Sequence, residues 1–331
     1  MVMCMKKMLC VFMGVLAIAI SVIPLFGGRD ITNSNYIKYV EFNVTKSALQ
    51  AAIELDTASQ GEKNKLDYIT LLAYLGAKYG GDFSKYKYSD MTDFAEKIAN
   101  GQKEKDLTKD MQYYDYYKEA YTAALSGMVG AYEEERESDD GDKVTEQKYG
   151  VRWFSPIAKT FPYSCYDDFG APRSYGYSRP HLGHDMMAAV GTPVIAVESG
   201  KVECLGWNKY GGWRIGIRSN DGMRYWYYAH LRQNRPYAEN LKEGDVVKAG
   251  DVIGYVGRTG YSDTENTNGI TQSHLHIGLE LIFDESQKES DNEIWIDLYA
   301  ITSILEQHQS AVLRNSETKE FTRQFDFNEI E

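Results

Sequence analysis

Two histidines in the segment TQSHLHIGLEL (271–281), His274 and His276, are the residues of this chain best placed to do chemistry. Apolar residues recur at every second position of this segment, which predicts a β-strand. Side chains two apart on a strand share a face, so both imidazoles should point away from the apolar row. Neighbouring imidazoles suit a metal, or one metal ligand beside one base. The alternative is a pair of surface histidines, or of core histidines bonded to the backbone.

Five of the six histidines lie between residues 181 and 276, so the pair is not isolated. His181 and Asp185 are four apart in HLGHD, and extended backbone can direct both toward one point. His184 is adjacent to Asp185 and should face the opposite way, which makes it the weaker ligand candidate. The set His181, Asp185 and His276 would leave a fourth zinc position open for water, which is typical of a catalytic zinc site.

The order of these motifs resembles a known family. HLGHD at 181–185, YAHL at 228–231 and HLH at 274–276 resemble the motifs of the lysostaphin-like (LytM-type) zinc endopeptidases of bacterial cell walls. Three neighbouring segments also resemble strands, a hairpin and a glycine-rich turn of that family: GTPVIAV (191–197), GDVVKAGDVIG (244–254) and GRTG (257–260). The resemblance covers residues 150–300 and implies an antiparallel β domain that holds one Zn²⁺.

The resemblance implies an enzyme that hydrolyses peptide bonds in peptidoglycan stems or cross-bridges during cell-wall remodelling. His181, Asp185 and His276 would bind the zinc, and His230 and His274 would transfer protons and support the oxyanion. Which of those two is the base stays open. Tyr228, two residues before His230, is expected to be a further hydrogen-bond donor. The alternative function is a non-catalytic wall-binding or assembly module on the same fold, but the presence of all five site residues favours the enzyme.

The segment 261–270 departs from the family, because SDTENTNG (262–269) lengthens the turn before the paired histidines. This insertion should lie beside the metal ligands and could narrow the groove or alter substrate choice. The bond that is cut is not determined by the sequence.

The chain as a whole is predicted to be an α+β multidomain protein. It would have an N-terminal membrane anchor, a small helical domain and a C-terminal antiparallel β peptidase domain. The expected boundaries are 1–30 for the cytoplasmic tip and anchor, 31–137 for the helical domain, 138–150 for an acidic linker, 151–305 for the zinc peptidase domain and 306–331 for a polar tail.

Residues 8–26 carry no charge and are just long enough to cross a bilayer as a helix. Lys6 and Lys7 precede them, which predicts a cytoplasmic N-terminus and an extracellular peptidase domain on a single-pass bacterial membrane protein. The alternative is a cleaved signal peptide and a secreted protein. We favour the uncleaved anchor, because no clear cleavage motif of small residues follows the run.

Apolar stripes predict helices between 34 and 137, the last of them carrying tyrosines from Tyr114 to Tyr132. These tyrosines are expected in the core, with a sugar-binding face as the alternative. The acidic run 133–142 is expected to be a helix end that passes into a solvated linker. The protein partners of the helical domain are not indicated.

The formal net charge of −12, without any long basic run, argues against nucleic acid as a partner. The expected partners are peptidoglycan and, through the N-terminal helix, the membrane. Four cysteines do not make a disulfide scaffold, and whether Cys165 and Cys204 pair is left open. His308 lies outside every motif and is expected to be solvated.

Overall fold

The computed structural model describes residues 36–330. The predicted anchor at 8–26 lies outside the described residues. Within 36–330, no helix combines the length and the apolar character that crossing a membrane requires.

The helices precede most of the strands along the chain, as the sequence predicts. Asp67 begins α2 by accepting hydrogen bonds from the amides of Ile69 and Thr70, and Gly80 ends it with a left-handed φ of 65°. The α-helices are α1 Lys46–Ala58, α2 Tyr68–Tyr79, α3 Tyr88–Ala99, α4 Glu104–Thr108, α5 Tyr114–Leu125 and α6 Tyr299–Leu305.

Antiparallel strands form the larger part of the described structure, which confirms the predicted β class of the C-terminal region. The main sheet has the order β11-β8-β9-β10-β13-β6-β3, with β14 paired to β13. The strands are β1 Val129–Glu137, β2 Lys143–Val151, β3 Tyr163–Cys165, β4 Pro172–Tyr175, β5 Tyr177–Pro180, β6 His184–Ala188, β7 Pro193–Ile195, β8 Gly200–Asn208, β9 Gly212–Ser219, β10 Arg224–Ala229, β11 Val246–Val247, β12 Val252–Tyr255, β13 His274–Leu281, β14 Ile294–Trp295, β15 Val312–Arg314, β16 Phe321–Arg323 and β17 Phe327–Glu329.

The acidic run is not a helix end or a solvated linker, and this part of the prediction was wrong. Strand β1 carries residues 133–137 of the run and pairs with β2 from Val129 opposite Val151 to Glu137 opposite Lys143, and residues 138–142 form the turn between the two strands. Basic residues of β2 compensate the acidic ones of β1: Lys148 lies 3.1 Å from Glu134, and Lys143 lies 2.9 Å from Glu135. The C-terminal segment is not simply a polar tail either, because β17 pairs with β1 and Phe327 is buried.

Several tyrosines of the predicted stripe are buried, in agreement with a core role. Tyr114 and Tyr121 on α5 are 6% and 0% exposed. Helix α5 ends at Leu125, however, so Tyr132 lies on β1, where its ring packs 5.2 Å from that of Phe327. His308 is not simply solvated: its ring stacks 4.1 Å from Phe154, and Nδ1 donates to the carbonyl of Trp153 at 2.6 Å.

Cys165 and Cys204 are both free thiols. Cys165 lies on the edge strand β3, whereas Cys204 lies on β8 near the opposite edge of the main sheet. Four strands separate β8 from β3 in the sheet order, which is far more than the short separation that a disulfide spans.

A buried arginine joins the helical region to the main sheet. Arg224, at the start of β10, is 1% exposed and forms a bidentate ion pair with Glu198, at 2.9 and 2.8 Å. Its Nη1 also donates to the carbonyl of Ala123 and the hydroxyl of Ser126, both at 2.7 Å, at the end of α5. One guanidinium group therefore contacts both the helical region and the main sheet.

We expect Arg224→Met to destabilise the protein by about 3–5 kcal/mol, because it leaves the buried carboxylate of Glu198 without its partner. The measurement is the free energy of unfolding in urea. Arg136→Met is the matched control: the side chains of Arg136 and its partner Glu146 are both accessible to solvent, so this variant should lose far less stability than Arg224→Met. Equal losses for the two variants would contradict the role assigned to Arg224.

Candidate metal centre

Strand β13 carries the paired histidines, and its two faces differ as the sequence predicts. Leu275, Ile277, Leu279 and Leu281 are fully buried on one face. The opposite face presents His274 and His276 to a cavity of about 230 Å³. Because β13 lies between β6 and β10, residues of both neighbouring strands reach the same cavity.

The three predicted metal ligands converge at one point. His276 lies directly opposite Asp185 in the pairing of β13 with β6, and His181 precedes β6 by three residues. His181 Nε2 lies 2.9 Å from His276 Nδ1 and 3.0 Å from Asp185 Oδ1, and His276 Nδ1 lies 3.1 Å from the same oxygen. Gly183 makes this approach possible, since a Cβ there would meet His276 Cε1 at 2.6 Å.

This donor set fits a tetrahedral metal. Four ligands at about 2.0–2.1 Å from zinc would stand about 3.3 Å from one another, close to the distances among these three atoms. Two imidazole nitrogens and one carboxylate oxygen are ordinary zinc donors. Among the described residues, His181, Asp185 and His276 are the group of three or more potential ligand side chains that lies close enough to hold one ion.

Asp168 and Arg173 lie next to the candidate ligands, and no motif or spacing in the sequence indicated them. The Nδ1 of His181 lies 3.1 Å from the carbonyl oxygen of Asp168 and 3.2 Å from its Oδ2. Arg173 Nη2 bridges Asp168 Oδ2 at 2.6 Å and Asp185 Oδ2 at 3.0 Å. A carboxylate behind a ligating imidazole fixes its tautomer and orientation, so Asp168 directs the Nε2 of His181 toward the metal position.

The electrostatic environment favours the ionised carboxylate of Asp185 and the neutral imidazole of His276, but the protonated imidazole of His181. Burial raises the pKa of Asp185, but hydrogen bonds with His181 and His276 outweigh burial and hold that pKa far below its usual range. Burial lowers the pKa of His276. Burial also disfavours the charged form of His181, yet Asp168 and Asp185 raise its pKa to about 9, so a metal must displace a proton there.

His230 and His274 lie beside the three candidate ligands, and both have Nδ1 bonded to a backbone carbonyl. Their rings are 4.8 Å apart. His230 Nδ1 donates to the carbonyl of Thr259 at 2.9 Å, and His274 Nδ1 donates to that of Gln272 at 2.9 Å. In both side chains Nε2 therefore keeps a free lone pair. Burial, together with the neighbouring His274 and His276, holds the pKa of His230 well below its usual value.

A backbone reversal directs His230 into the cavity. In strict alternation His230 would share a face with Tyr228, whose pairing partner Ile277 belongs to the core face. His230 instead has a φ of 60°, in the left-handed region, and turns toward the metal ligands. Tyr228 stays in the core, where its hydroxyl accepts a hydrogen bond from the Val197 amide at 3.0 Å. The prediction that Tyr228 is a donor in the site was wrong.

His184 also lies in the core, as predicted from its position next to Asp185. It is 1% exposed and pairs across the strands with Ile277. Its Nδ1 lies 3.5 Å from Asp168 Oδ1, so it contacts the second layer of the site and not the ligand cluster.

Comparison with known proteins identifies the segment that contains these residues. Residues 179–290, which contain all five site residues, match the sequence profile of Peptidase family M23. This chain contains an M23 peptidase domain. It is 41% identical over 124 residues to the L-Ala–D-Glu endopeptidase of Bacillus subtilis, covering 38% of this chain and 36% of the relative. It is 44% identical over 136 residues to lysostaphin of Staphylococcus simulans, covering 41% of this chain and 24% of the relative.

A solved structure resembles a larger part of the chain. The crystal structure described as a glycyl-glycine endopeptidase lytM from Ruminococcus gnavus is 25% identical, has a TM-score of 0.55 and covers 84% of this chain and 93% of that one. The chain spans only about a quarter to a third of the length of the curated relatives above. The match to the M23 family therefore concerns the domain that carries the metal centre.

The insertion of this M23 domain is an ordered wall of the groove. Asn266 anchors it: its Oδ1 accepts from Trp213 Nε1 at 2.9 Å and from the Asn234 amide at 2.8 Å. At the start of the insertion, the Tyr261 ring stacks 4.7 Å from Tyr175, and both ends of the segment line the cavity of the metal centre. Arg179 lies over the Tyr261 ring at 5.6 Å. The insertion thus contributes to one wall of the groove, and its effect on groove width and substrate choice stays a prediction.

We expect Asp168→Asn to weaken divalent metal binding by the M23 domain by about 10- to 100-fold, because the orienting carboxylate behind His181 is lost. The measurement is competition for Zn²⁺ with a chromophoric chelator. Asp167→Asn is the matched control, since Asp167 is exposed and should leave the affinity unchanged. An unchanged affinity in Asp168→Asn would show that this carboxylate does not orient the ligand.

Proposed function

We propose that the protein is a zinc-dependent endopeptidase that hydrolyses peptide bonds in the stems or cross-bridges of peptidoglycan. The convergence of His181 Nε2, Asp185 Oδ1 and His276 Nδ1 carries this proposal. Names of relatives point to the same substrate class: one is an L-Ala–D-Glu endopeptidase, and another, from Vibrio cholerae, is a peptidoglycan DD-endopeptidase. These names differ in the bond that is cut, so the proposal stops at the substrate class.

His181, Asp185 and His276 would hold the zinc, leaving a coordination position directed into the groove. Zinc in such a site supplies a Lewis acid for the peptide carbonyl and lowers the pKa of a bound water toward neutrality. The protein must then accept a proton, stabilise negative charge on the carbonyl oxygen and return a proton to the leaving amine.

His230 and His274 are suited to these proton transfers. Each has its Nδ1 hydrogen bonded to a carbonyl, which leaves Nε2 able to accept a proton. The lowered pKa of His230 keeps it neutral near pH 7, as an acceptor must be. Once protonated, either imidazolium can donate to the oxyanion or to the leaving amine. The two rings are close enough that one can act as the base while the other stabilises charge.

The alternative is a non-catalytic wall-binding module, which would need the fold but not these histidines. Here all three candidate ligands and both candidate proton carriers share one groove, and the carbonyl partners of His230 and His274 set their tautomers. This arrangement favours catalysis. Action on the cell wall agrees with the extracellular location predicted from residues 8–26, and that location stays a prediction.

The metal assignment predicts opposite results for two histidines on one strand. In the full chain, His276→Ala should lose tightly bound zinc, because a site with three protein ligands loses most of its affinity with one of them. His274→Ala should retain about one zinc per chain. Metal content after dialysis, measured by atomic emission, separates the two. Zinc kept in His276→Ala but lost in His274→Ala would mean that the two roles are exchanged.

The catalytic assignment is tested by digestion of purified peptidoglycan with the full chain, followed by mass analysis of the fragments. The wild type should release fragments with new amino termini. His230→Ala and His274→Ala should be slower by about 10²–10⁴-fold while keeping their zinc, because each loses a proton-transfer group. No cleavage by zinc-loaded wild type would favour the binding module instead. Full activity in both variants would remove the two-histidine mechanism.

A further inference from the structure

A second cavity, of about 370 Å³, adjoins the groove of the metal centre. Leu182, Tyr210, Tyr227 and His276 line both cavities. A peptide that lies across the candidate metal ligands can therefore extend a side chain into the second cavity. No step assigned to the two catalytic histidines uses this space.

Glu280 is a buried acid that lines this second cavity without a partner. It is 1% exposed, and its Oε1 has no hydrogen bond. It lies four residues after His276 on β13 and therefore on the same face of the strand. Gly278 lies between them. The Trp295 ring packs against this glycine, where a Cβ would lie 2.7 Å from the ring. Burying a carboxyl group without a hydrogen-bond partner is costly, so such a group calls for a reason.

Arg214 is the opposite charge in the same cavity. It lies on β9, on the face shared by Gly216 and, across the strands, Tyr227. Its Nε is buried without a hydrogen-bond partner, and in the described part of the chain its guanidinium contacts the Tyr227 hydroxyl but forms no ion pair with a carboxylate. Glu280 and Arg214 do not pair with each other either. The cavity thus contains one carboxyl group and one guanidinium group that have no ion-pair partner among the described residues.

The other charged groups around the cavity have partners or face solvent. Lys288 pairs with Glu203 and lies 4.4 Å from the centre of the Tyr225 ring. Glu293 accepts a hydrogen bond from Trp295 Nε1 at 2.8 Å, and Glu289 is exposed. Glu280 and Arg214 are accordingly the two groups of this cavity to which a ligand could supply a hydrogen-bonding or ionic partner.

We propose that this cavity is a subsite for an amino-acid head group, an ammonium beside a carboxylate, at the end of a side chain of the peptide substrate. Glu280 receives the ammonium and Arg214 the carboxylate. The far end of a diaminopimelate residue has this chemistry, whereas lysine lacks the carboxylate. The inference rests on the proposed peptidase function and specifies its substrate. Burial and the nearby Glu293 raise the pKa of Glu280 to about 8, so an arriving ammonium would favour its ionised form.

The test compares three peptidoglycan stem peptides that differ only in the diamino acid: diaminopimelate, its side-chain amide, and lysine. The full chain, loaded with zinc, should show a kcat/KM for the diaminopimelate peptide roughly 10- to 100-fold above the other two, since hydrogen bonds to charged groups are lost in those peptides. In Arg214→Gln this preference should fall to within about threefold. Glu280→Gln should lower the rate on the diaminopimelate peptide more than that on an otherwise identical norleucine peptide.

For each variant, the ratio of its rates on two peptides distinguishes a loss of recognition from damage to the fold. A substitution that merely disturbs the structure lowers all rates together and leaves the ratios unchanged, which would overturn the subsite. Equal rates of the wild type on the three peptides would overturn it as well. Glu265→Gln is the matched control: Glu265 is an exposed carboxylate on the insertion, outside the second cavity, and its removal should leave the ratios as in the wild type.

Failure of the peptidase function is a separate outcome. If the zinc-loaded wild type cleaves none of the peptides, the proposed activity is wrong, and the subsite is judged by calorimetric titration of the same uncleaved peptides. Tighter binding of the diaminopimelate peptide, lost in Glu280→Gln and Arg214→Gln, would support the subsite without catalysis. Equal binding of all peptides would overturn it.

Discussion

The pairing of β13 with β6 and β10 is the constraint on which the candidate site depends. It places His276 opposite Asp185 on one side and opposite Ala229 on the other. A shift of one residue in this register would turn both histidines into the core and the buried leucines into the groove. The apolar face of β13 is fully buried, so the hydrophobic core itself holds the metal ligands in register.

Buried charges in this molecule have two different relations to the fold. Arg224 is fully matched by Glu198, Asp221 and the end of α5, and it connects helices to the sheet. Glu280 and Arg214 are unmatched and line a cavity beside the metal centre. A matched buried charge stabilises one arrangement of the chain, whereas an unmatched one reduces stability until something binds to it. The buried groups without partners therefore lie beside the groove of the candidate metal centre.

The groove is formed as much by backbone conformation as by side chains. The left-handed φ of His230 moves its imidazole out of the core face. Gly183 and Gly278 provide the space in which His276 and the Trp295 ring lie. The insertion, held by Asn266, contributes Tyr261 to the wall. Small local departures from regular strand geometry thus shape a site in which two of the three candidate ligands, Asp185 and His276, stand on regular strands.

Local periodicity in the sequence was sufficient to predict the strand of the paired histidines and the opposite orientations of His184 and Asp185. It also yielded the ligand set that the fold brings together. These features follow from the alternation of side chains along a strand, which depends only on neighbouring residues.

The tertiary structure alone decided the features that depend on residues far apart in the chain. Asp168 and Arg173 reach the ligands by packing that no spacing reveals. The acidic residues 133–137 form part of a strand because β2 supplies their counter-charges, whereas their composition alone is typical of a linker. Tyr228 was misplaced because one positive φ at His230 breaks the alternation on which the prediction relied. Strand periodicity is a property of adjacent residues, whereas charge compensation and backbone reversals are fixed only when distant segments meet.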